Sequence, residues 1–409
     1  MYDAVSFPPA LHVTTRTIDD PGSLLEWLIP RHPTAFLRGG DGIIGIGERV
    51  SYVQTAGSRL ADIAASWREL CAVATIDDDV QVPGTGLVAF GSFAFSDDSA
   101  SPSYLTVPST IIGRRDGVSW LTRLDLDALE PERVPLREGY RVDLAPGAMS
   151  ESAYRDAVAT AVHRIGTGET SKVVLSRDLV GRIPKMADLR PVIARLAAAY
   201  PDTFAFAVNG LIGASPETLV RVENGRATAR VLAGSAARGT DATSDTLAAT
   251  ALATSAKDRA EHDFALASLV DALEPRTSGI STGATFALEL PNLWHLATDI
   301  SADLVDGSSA LDLVAALHPT AAVAGSPTPA ALAMIAELEP FDRGRYAGPV
   351  GWVDANGDGE WAVALRCARF TEHDEVTAYA GAGIVAGSDP DRELAETRLK
   401  FLPITGALG

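Results

Sequence analysis

Short apolar runs separated by turn residues dominate the first third of the chain, up to about Asp143. The stretches GDGIIGIGERVSYVQ, GLVAFGSFAFSDDS and SYLTVPSTIIGRRDGVSWLTRL combine β-branched or aromatic residues with flanking glycine, aspartate or serine. This pattern is typical of strands joined by hairpins. Between Ser58 and Asp77 the apolar residues instead follow the helical period and predict a helix. They are Leu60, Ile63, Ala64 and Trp67.

Longer helices are predicted after the hairpin-rich part. Ser150 is a suitable N-cap for a helix with one apolar stripe. We predict further helices over 188–200, over 246–273 with a break near Ser255, and over 389–401 with Pro390 in the first turn. Strands are predicted in KVVLSRDLV, TFAFAVN, residues 218–222 and 227–232, GPVGWV, EWAVALRCARF and VTAYAG.

The order of these elements indicates the fold class. Strands do not alternate regularly with helices, so a doubly wound parallel sheet is disfavoured and an α+β fold with mainly antiparallel sheets is favoured. No segment has the composition of a flexible linker. We therefore predict one large domain over 1–409, in which a more variable N-terminal portion, 1–149, packs against a catalytic core, 150–409.

The charge balance restricts the class of partner. The 409 residues include 46% hydrophobic and 21% charged residues, as in globular proteins. The 53 acidic and 34 basic residues give a net charge of −19, which argues against nucleic acid or an anionic membrane as a partner. An anionic small substrate would also be repelled, so a site for one requires local cations.

Cysteine usage and the N-terminus bear on location. Cys71 and Cys367 are far apart and lack metal-ligand spacing, which is typical of a reducing cytosol. The N-terminal residues lack the basic-then-apolar pattern of a signal peptide, and no apolar run approaches the roughly 20 residues of a membrane span. We expect a soluble cytoplasmic protein, and our expectation for its oligomeric state is a monomer.

Two acidic turns, 135 residues apart, are candidates for a metal site. Asp258 and Glu261 form one pair and Glu393 and Glu396 the other, each at the i,i+3 spacing that places two side chains on one helix face. If the pairs meet, a hard cation such as Mg²⁺ would compensate their charge. The alternative is two solvated helix faces of an acidic protein, which is the better interpretation for any single pair.

Four further residues are candidates, each with an ordinary alternative. Lys172 opens an apolar strand; it either reaches solvent or acts as a general base in a closed site. Glu217 follows a Ser-Pro turn and is either a turn residue or a buried general acid. Arg366 lies in an apolar run and needs an internal or a substrate carboxylate. His295 is interpreted as buried and bonded to a backbone carbonyl, since no partner is spaced for metal binding.

Taken together, these segments resemble the chorismate-utilising enzyme family, which includes isochorismate, salicylate, anthranilate and aminodeoxychorismate synthases. The resemblance runs from Ser150 to Leu402 through motifs in the same order: KVVLSR, GASPETL, LAGS, KDRAEH, LWHLAT, HPT, EPFDRGRYAGPVGW, GDGEWAVALRCA, AGAGIVAGSDP and ELAETRLK. It implies two stacked, mainly antiparallel sheets flanked by helices.

Three positions indicate which family reaction the resemblance implies. Lys172 resembles the lysine of members that add water rather than ammonia. Ala322 resembles the isochorismate synthases, whereas pyruvate-eliminating members carry threonine there. Ala233 stands where aminodeoxychorismate synthases carry a nucleophilic lysine. The resemblance therefore implies isomerisation of chorismate to isochorismate, for menaquinone or siderophore synthesis. Salicylate formation and non-catalytic chorismate binding are the alternatives.

One departure from the family pattern follows the LAGS motif. Many relatives read Arg-Pro-Arg after this Gly-Ser, whereas Ala236 and Ala237 precede Arg238 here. Any role of the first arginine is therefore in doubt, while the core chemistry is not affected.

The resemblance also implies a role for each site residue. Mg²⁺ would be held by Glu261 and Glu396, with Asp258 and Glu393 as outer partners or as ligands through water. Lys172 would activate a water that attacks C2, and Glu217 would protonate the departing C4 hydroxyl. The residues implied to contact or line the substrate are His295, Ala322, Tyr346, Arg366, Gly381, Gly383 and Lys400.

Overall fold

The computed structural model describes residues 11–125, 130–289, 293–305 and 307–409, without the side chains of Ser235, Lys257, Glu261 and Leu293. The described helices are α1 (Arg59–Val73), α2 (Glu151–Gly166), α3 (Arg190–Ala199), α4 (Ala242–Thr254), α5 (Ala256–Leu273), α6 (Ala310–Leu317), α7 (Thr328–Leu338) and α8 (Pro390–Leu408). Among them, none combines the length and apolarity that crossing a bilayer requires.

The strands lie before, between and after these helices. Those preceding α2 are β1 (His12–Thr17), β2 (Thr34–Arg38), β3 (Asp41–Ile46), β4 (Val50–Gln54), β5 (Thr75–Asp78), β6 (Val88–Ser92), β7 (Ser103–Val107), β8 (Thr110–Arg115), β9 (Val118–Leu124) and β10 (Ala145–Pro146). Those following it are β11 (Lys172–Arg182), β12 (Phe204–Val208), β13 (Leu211–Ser215), β14 (Thr218–Glu223), β15 (Arg226–Ala237), β16 (Thr277–Thr282), β17 (Phe286–Glu289), β18 (Leu293–Leu304), β19 (Gly325–Ser326), β20 (Pro349–Asp354), β21 (Gly359–Val363), β22 (Cys367–Phe370) and β23 (Glu375–Ile384).

These strands form two large sheets. The larger sheet has the order β10-β11-β23-β22-β13-β12-β2-β3-β8-β9-β1-β5, with β19 also paired to β11. The smaller sheet has the order β16-β18-β15-β14-β21-β20-β6-β7-β4, with β17 also paired to β18. Among the described strands only the pair β1 and β5 is parallel. The predicted α+β fold with mainly antiparallel sheets is confirmed.

Apolar burial explains why the sheets stack. A core between them contains the fully buried side chains of Trp120, Phe206, Trp352 and Trp361, together with apolar residues of α1, α2, α6 and α7. A second core, on the outer face of the larger sheet, is closed by α3 and α8. Strands from both the N-terminal and the C-terminal portions enter each sheet.

The chain changes sheets at two neighbouring places that matter for the site. Between β13 and β14 it passes from the larger to the smaller sheet through Pro216 and Glu217, and between β21 and β22 it returns through 364–366. The prediction of one uninterrupted strand over EWAVALRCARF is therefore wrong. Arg366 adopts a φ of +49°, a left-handed conformation that turns the chain out of β21.

The predicted helices are present with shifted ends. The break near Ser255 is confirmed, because the Ser255 side chain accepts a hydrogen bond from the Asp258 N–H at 3.3 Å and starts a new helix there. Helix α4 starts at Ala242, earlier than expected, since Asp241 and Ser244 form a capping box. Helix α8 starts at Pro390 as predicted but continues past Pro403 to Leu408.

Candidate active site

One open cavity of about 1060 Å³ brings together the residues that the sequence predicts for the site. Its lining includes Lys172, Glu217, Asp258, His295, Ala322, Tyr346, Arg366, Gly381, Gly383, Glu393, Glu396 and Lys400. The remaining predicted site residue is Glu261. Its backbone belongs to α5, and its side chain lies outside the described residues.

The two sheet crossings place Glu217 beside Arg366. The Val363 N–H donates to the Glu217 carbonyl at 3.0 Å, and the Ala214 N–H donates to the Arg366 carbonyl at 3.2 Å. The Ser215 hydroxyl donates to the Val363 carbonyl at 2.6 Å and accepts from the Glu217 N–H at 3.2 Å. Hydrogen bonds therefore connect the two crossings, and the side chains of Glu217 and Arg366 both line the cavity.

The environment of Glu217 favours a bound proton. Loss of hydration raises the pKa of its carboxyl above the ordinary value, while the positive charges of Arg366, Lys172 and Lys400 act in the opposite direction. Desolvation is the larger influence. Burial also lowers the pKa of the Arg366 guanidinium, and Tyr346 and Glu217 counteract this effect. The site therefore holds an isolated carboxyl among cations.

Lys172 enters the cavity from the first position of β11. Its backbone pairs with Ser326 of β19, and its side chain is half-buried. A Cβ atom at Gly383 would lie 3.1 Å from the Lys172 Cε, so the absence of a side chain at Gly383 leaves room for the lysine stem. Lys172 therefore does not extend freely into solvent, the alternative that its position at a strand start suggested.

Tyr346 and Lys400 surround the neighbouring glycine of β23. The buried Tyr346 ring stacks on Tyr379 with centroids 5.2 Å apart, and a Cβ at Gly381 would lie 3.2 Å from the Tyr346 hydroxyl. The Lys400 Nζ donates to the Gly381 carbonyl at 2.8 Å and pairs with Glu396 at 2.5 Å. Burial lowers the pKa of Lys400.

The starts of α5 and α8 bring acidic side chains to the same cavity. Asp258 lies in the first turn of α5, and a Cβ at Gly234 would be 3.1 Å from the Asp258 Cβ. Gly234 sits at a bulge in β15 with a φ of +76°, which glycine adopts without strain. Burial raises the pKa of Glu393, and the charge of Glu396 adds to this rise.

The chemistry of this acidic group fits a hard cation. Asp258, Glu393 and Glu396 offer only oxygen donors, the ligands that Mg²⁺ prefers. Like-charge crowding between Glu393 and Glu396 is the kind of unfavourable interaction that a cation relieves. The described side chains contain no group of three or more ligands close enough to hold an ion by themselves. A bound cation would therefore need further oxygens, from Glu261, substrate or water.

His295 behaves as its ordinary interpretation predicts. Its Nδ1 donates to the Gly234 carbonyl at 3.2 Å. Burial lowers the pKa of the ring, and the nearby charges of Lys172 and Lys400 contribute to the same direction. His295 therefore lines the cavity as a neutral, oriented imidazole.

Arg343 is a cavity residue that the sequence does not single out. It lies in EPFDRGRY, which contains another buried arginine, Arg345, two positions later. Arg343 lines the cavity, whereas Arg345 donates away from it to Ser92 and to the carbonyls of Val208 and Asn209. Only the three-dimensional packing distinguishes them. The sequence offered only two arginines two positions apart, which do not differ in residue type.

The fold is shared with solved structures of an isochorismate synthase and of an anthranilate synthase component. The solved structure of MenF, the menaquinone-specific isochorismate synthase from Escherichia coli, has a TM-score of 0.80, covers 98% of this chain and 95% of that one, and is 23% identical. At this identity the likeness shows the fold alone. The solved structure of anthranilate synthase component I from Streptococcus pneumoniae has a TM-score of 0.62 at 20% identity, with 99% and 94% covered.

Sequence comparison defines the family. Residues 128–409 match the model described as chorismate binding enzyme, and the chain belongs to that family. The isochorismate synthase DhbC of Bacillus subtilis is 37% identical over 326 residues, which are 76% of this chain and 79% of the relative. The isochorismate synthase EntC of Escherichia coli K12 is 38% identical over 265 residues, 63% and 68% of the two chains. The predicted resemblance is confirmed.

Proposed function

We propose that this protein is an isochorismate synthase, an isomerase that converts chorismate to isochorismate with Mg²⁺. The observation that carries the proposal is the placement of Lys172 and Glu217 in one cavity, with the Glu217 carboxyl largely desolvated. The names of relatives that match most of the chain support the same activity. The reaction needs a base for the attacking water and an acid for the departing hydroxyl, and both must be positioned beside the ring at the same time.

In the proposed reaction the uncharged form of the Lys172 amine accepts a proton from the water that attacks C2 of the chorismate ring and becomes the ammonium. Glu217 donates a proton to the C4 hydroxyl as it leaves, and the ring double bonds shift. Desolvation supports this role, because it keeps the Glu217 carboxyl protonated to higher pH than in water. General acid–base catalysis of this kind contributes about 10²- to 10⁴-fold in rate.

Local cations would bind the dianionic substrate in spite of the net charge of −19. We assign the enolpyruvyl carboxylate to Arg366 and to the buried hydroxyl of Tyr346, because a guanidinium and a hydroxyl both donate to carboxylates. Backbone N–H groups around Gly381 and Gly383, which line the cavity, would contribute to binding the same carboxylate. His295 would line the ring pocket.

Mg²⁺ would be held by Glu261 and Glu396, with Asp258 and Glu393 as partners in an outer layer or through water. When bound, the ion would neutralise the ring carboxylate of the substrate beside these acidic side chains. The Lys400–Glu396 pair would balance charge at this end of the cavity.

The product is the point that separates this proposal from salicylate synthesis. Ala322 lines the cavity with a methyl group and offers no hydroxyl. Incubation of the protein with chorismate and Mg²⁺, followed by chromatography of the products, should give isochorismate as the main product. Salicylate as the main enzymatic product would contradict the proposal. Binding of chorismate without consumption would instead indicate a non-catalytic protein.

We propose that the reaction takes place in the cytoplasm and supplies menaquinone or siderophore synthesis. Cys71 and Cys367 are free thiols, which is compatible with a reducing compartment. A monomeric state stays a prediction, and light scattering of the purified protein would test it.

A further inference from the structure

The strand that begins with Lys172 has an interrupted edge. On one side β11 pairs with β23 continuously from Val173 to Arg182. On the other side it pairs with β19 only at Lys172 and Val173, and with β10 only at Leu179 and Val180. Residues 174–178 therefore have backbone groups on that side without a neighbouring strand. Because unpaired buried peptide groups are costly, these groups need other partners.

A buried ion pair occupies this gap. One carboxylate oxygen of Glu339 accepts from the Ser176 N–H at 2.7 Å and from the Ser176 hydroxyl at 2.9 Å. The Arg343 guanidinium donates to the Val174 carbonyl at 2.6 Å. Two side chains from one stretch of chain thus make the hydrogen bonds that an adjacent strand would make.

The same ion pair also holds the loop that carries Ala322. Arg343 donates to the Val323 carbonyl at 2.9 Å, and the Val174 N–H donates to the Ala324 carbonyl at 2.9 Å. Arg343 and Glu339 share two hydrogen bonds, at 2.6 and 2.8 Å, and their side chains are 3% and 1% exposed. A paired guanidinium in such surroundings has little freedom to move.

We propose that the Glu339–Arg343 pair is a positioning element that fixes β11, and with it the Lys172 amine, relative to the Ala322 loop. This inference rests on the proposed function, in which Lys172 is the general base. Lys172 lies two residues before Val174, so a displacement of β11 at its free edge moves the amine directly. A misplacement of about 1 Å at a reacting group can cost about 10²-fold in rate.

The chain offers a matched control for testing this role. Arg345 is also buried and donates to two backbone carbonyls and one hydroxyl, yet none of these hydrogen bonds reaches β11, and Arg345 does not line the cavity. Arg343→Lys keeps the charge but cannot make all the bonds of the guanidinium fork. We expect Arg343→Lys to lower kcat by about 10- to 100-fold with KM for chorismate nearly unchanged. Arg345→Lys should keep kcat within about 2-fold per folded molecule.

Two readouts and one further variant distinguish positioning from stability or binding. Thermal unfolding measures how much each arginine variant destabilises the protein. Hydrogen exchange of a peptide covering 172–178 should be faster in Arg343→Lys than in Arg345→Lys. Glu339→Gln, which keeps the shape of the side chain but removes its charge, should resemble Arg343→Lys in both exchange and kcat.

Several results would overturn the inference. Equal losses of kcat in Arg343→Lys and Arg345→Lys would indicate a general packing effect. An increase of KM with unchanged kcat in Arg343→Lys would make Arg343 a substrate contact instead. Failure of the proposed function is recognised separately, since the wild-type protein would then form no isochorismate. In that case the exchange measurement still decides whether Arg343 holds β11.

Discussion

The cavity contains two kinds of carboxyl environment. Glu217 stands apart from other acidic groups and faces three cations, Arg366, Lys172 and Lys400. Glu393 and Glu396 lie one turn apart on α8, and Asp258 of α5 lines the same cavity. Burial raises the pKa in both places. At Glu217 the neighbouring charges all oppose the rise, whereas at Glu393 a hydrogen bond with Ser388 and the charge of Lys400 oppose it and the charge of Glu396 adds to it.

This difference shows how carboxyl groups in one cavity can serve either proton transfer or cation binding. A single desolvated carboxyl can hold and release a proton, because its charged form is unfavourable but still accessible. Several carboxylates together are compensated better by a divalent cation than by separate protons. The proposed assignment of acid and metal site follows this distinction, and the predictions below test it in order of expected effect.

The largest effect is expected for Glu217→Gln. The amide keeps the shape of the side chain but cannot donate a carboxyl proton, so kcat should fall by about 10²- to 10⁴-fold while KM changes little. Steady-state kinetics with chorismate would measure both quantities. Glu337→Gln, at an exposed position outside the cavity, is the control and should keep wild-type kinetics. A fully active Glu217→Gln would remove the acid from the mechanism.

Glu393→Gln should weaken Mg²⁺ binding and leave proton transfer by Glu217 intact. We expect the Mg²⁺ concentration for half-maximal activity to rise by about 10- to 100-fold, since outer partners of metal sites commonly have this effect. Saturating Mg²⁺ should restore most of kcat. A magnesium titration of Glu217→Gln serves as the contrast, because excess ion should not rescue it. If Glu393→Gln lost kcat at all Mg²⁺ concentrations, the two carboxyl environments would not differ as proposed.

A smaller effect is expected for Gly383→Ala. The new methyl group would lie 3.1 Å from the Lys172 Cε and would push the lysine stem from its rotamer, which should lower kcat by about 2- to 10-fold. Gly387→Ala is a matched control in the same glycine-rich segment, because a Cβ there meets no atom within 4 Å. Equal kinetics of the two variants would show that Lys172 does not depend on the space at Gly383.

The smallest effect concerns the pH profile. If protonated Glu217 is required, kcat/KM falls as the pH rises through the raised pKa of its carboxyl. Arg366 opposes this rise, so Arg366→Gln removes a charge that favours the carboxylate, and the alkaline limb should move to higher pH. Arg369→Gln, outside the cavity, should leave the limb in place. A shift to lower pH in Arg366→Gln would contradict the assignment.

The sequence predicted much of the fold because its signals are local. Ser255 caps a helix through its own side chain, and the hairpins of the N-terminal portion follow from alternating apolar runs and turn residues. The sheet change at Arg366 could not be predicted, since EWAVALRCARF is mostly apolar without a turn signal and the turn depends on pairing with a second sheet. Helices α6 and α7 were likewise not predicted.

For the site, the motifs indicated which residues to consider, and packing showed how they relate. The raised pKa of Glu217 depends on desolvation by segments distant in sequence. The distinction between Arg343 and Arg345 depends on which guanidinium reaches the edge of β11. Neither property can be derived from residue type or spacing.

The two sheet crossings have a mechanical consequence. Glu217 and Arg366 lie where the chain leaves one layer for the other, and their carbonyls accept hydrogen bonds from Val363 of β21 and Ala214 of β13, one strand in each sheet. A molecule bound by both side chains therefore contacts the segments that connect the two sheets. A bound molecule there would resist relative movement of the two sheets at this junction.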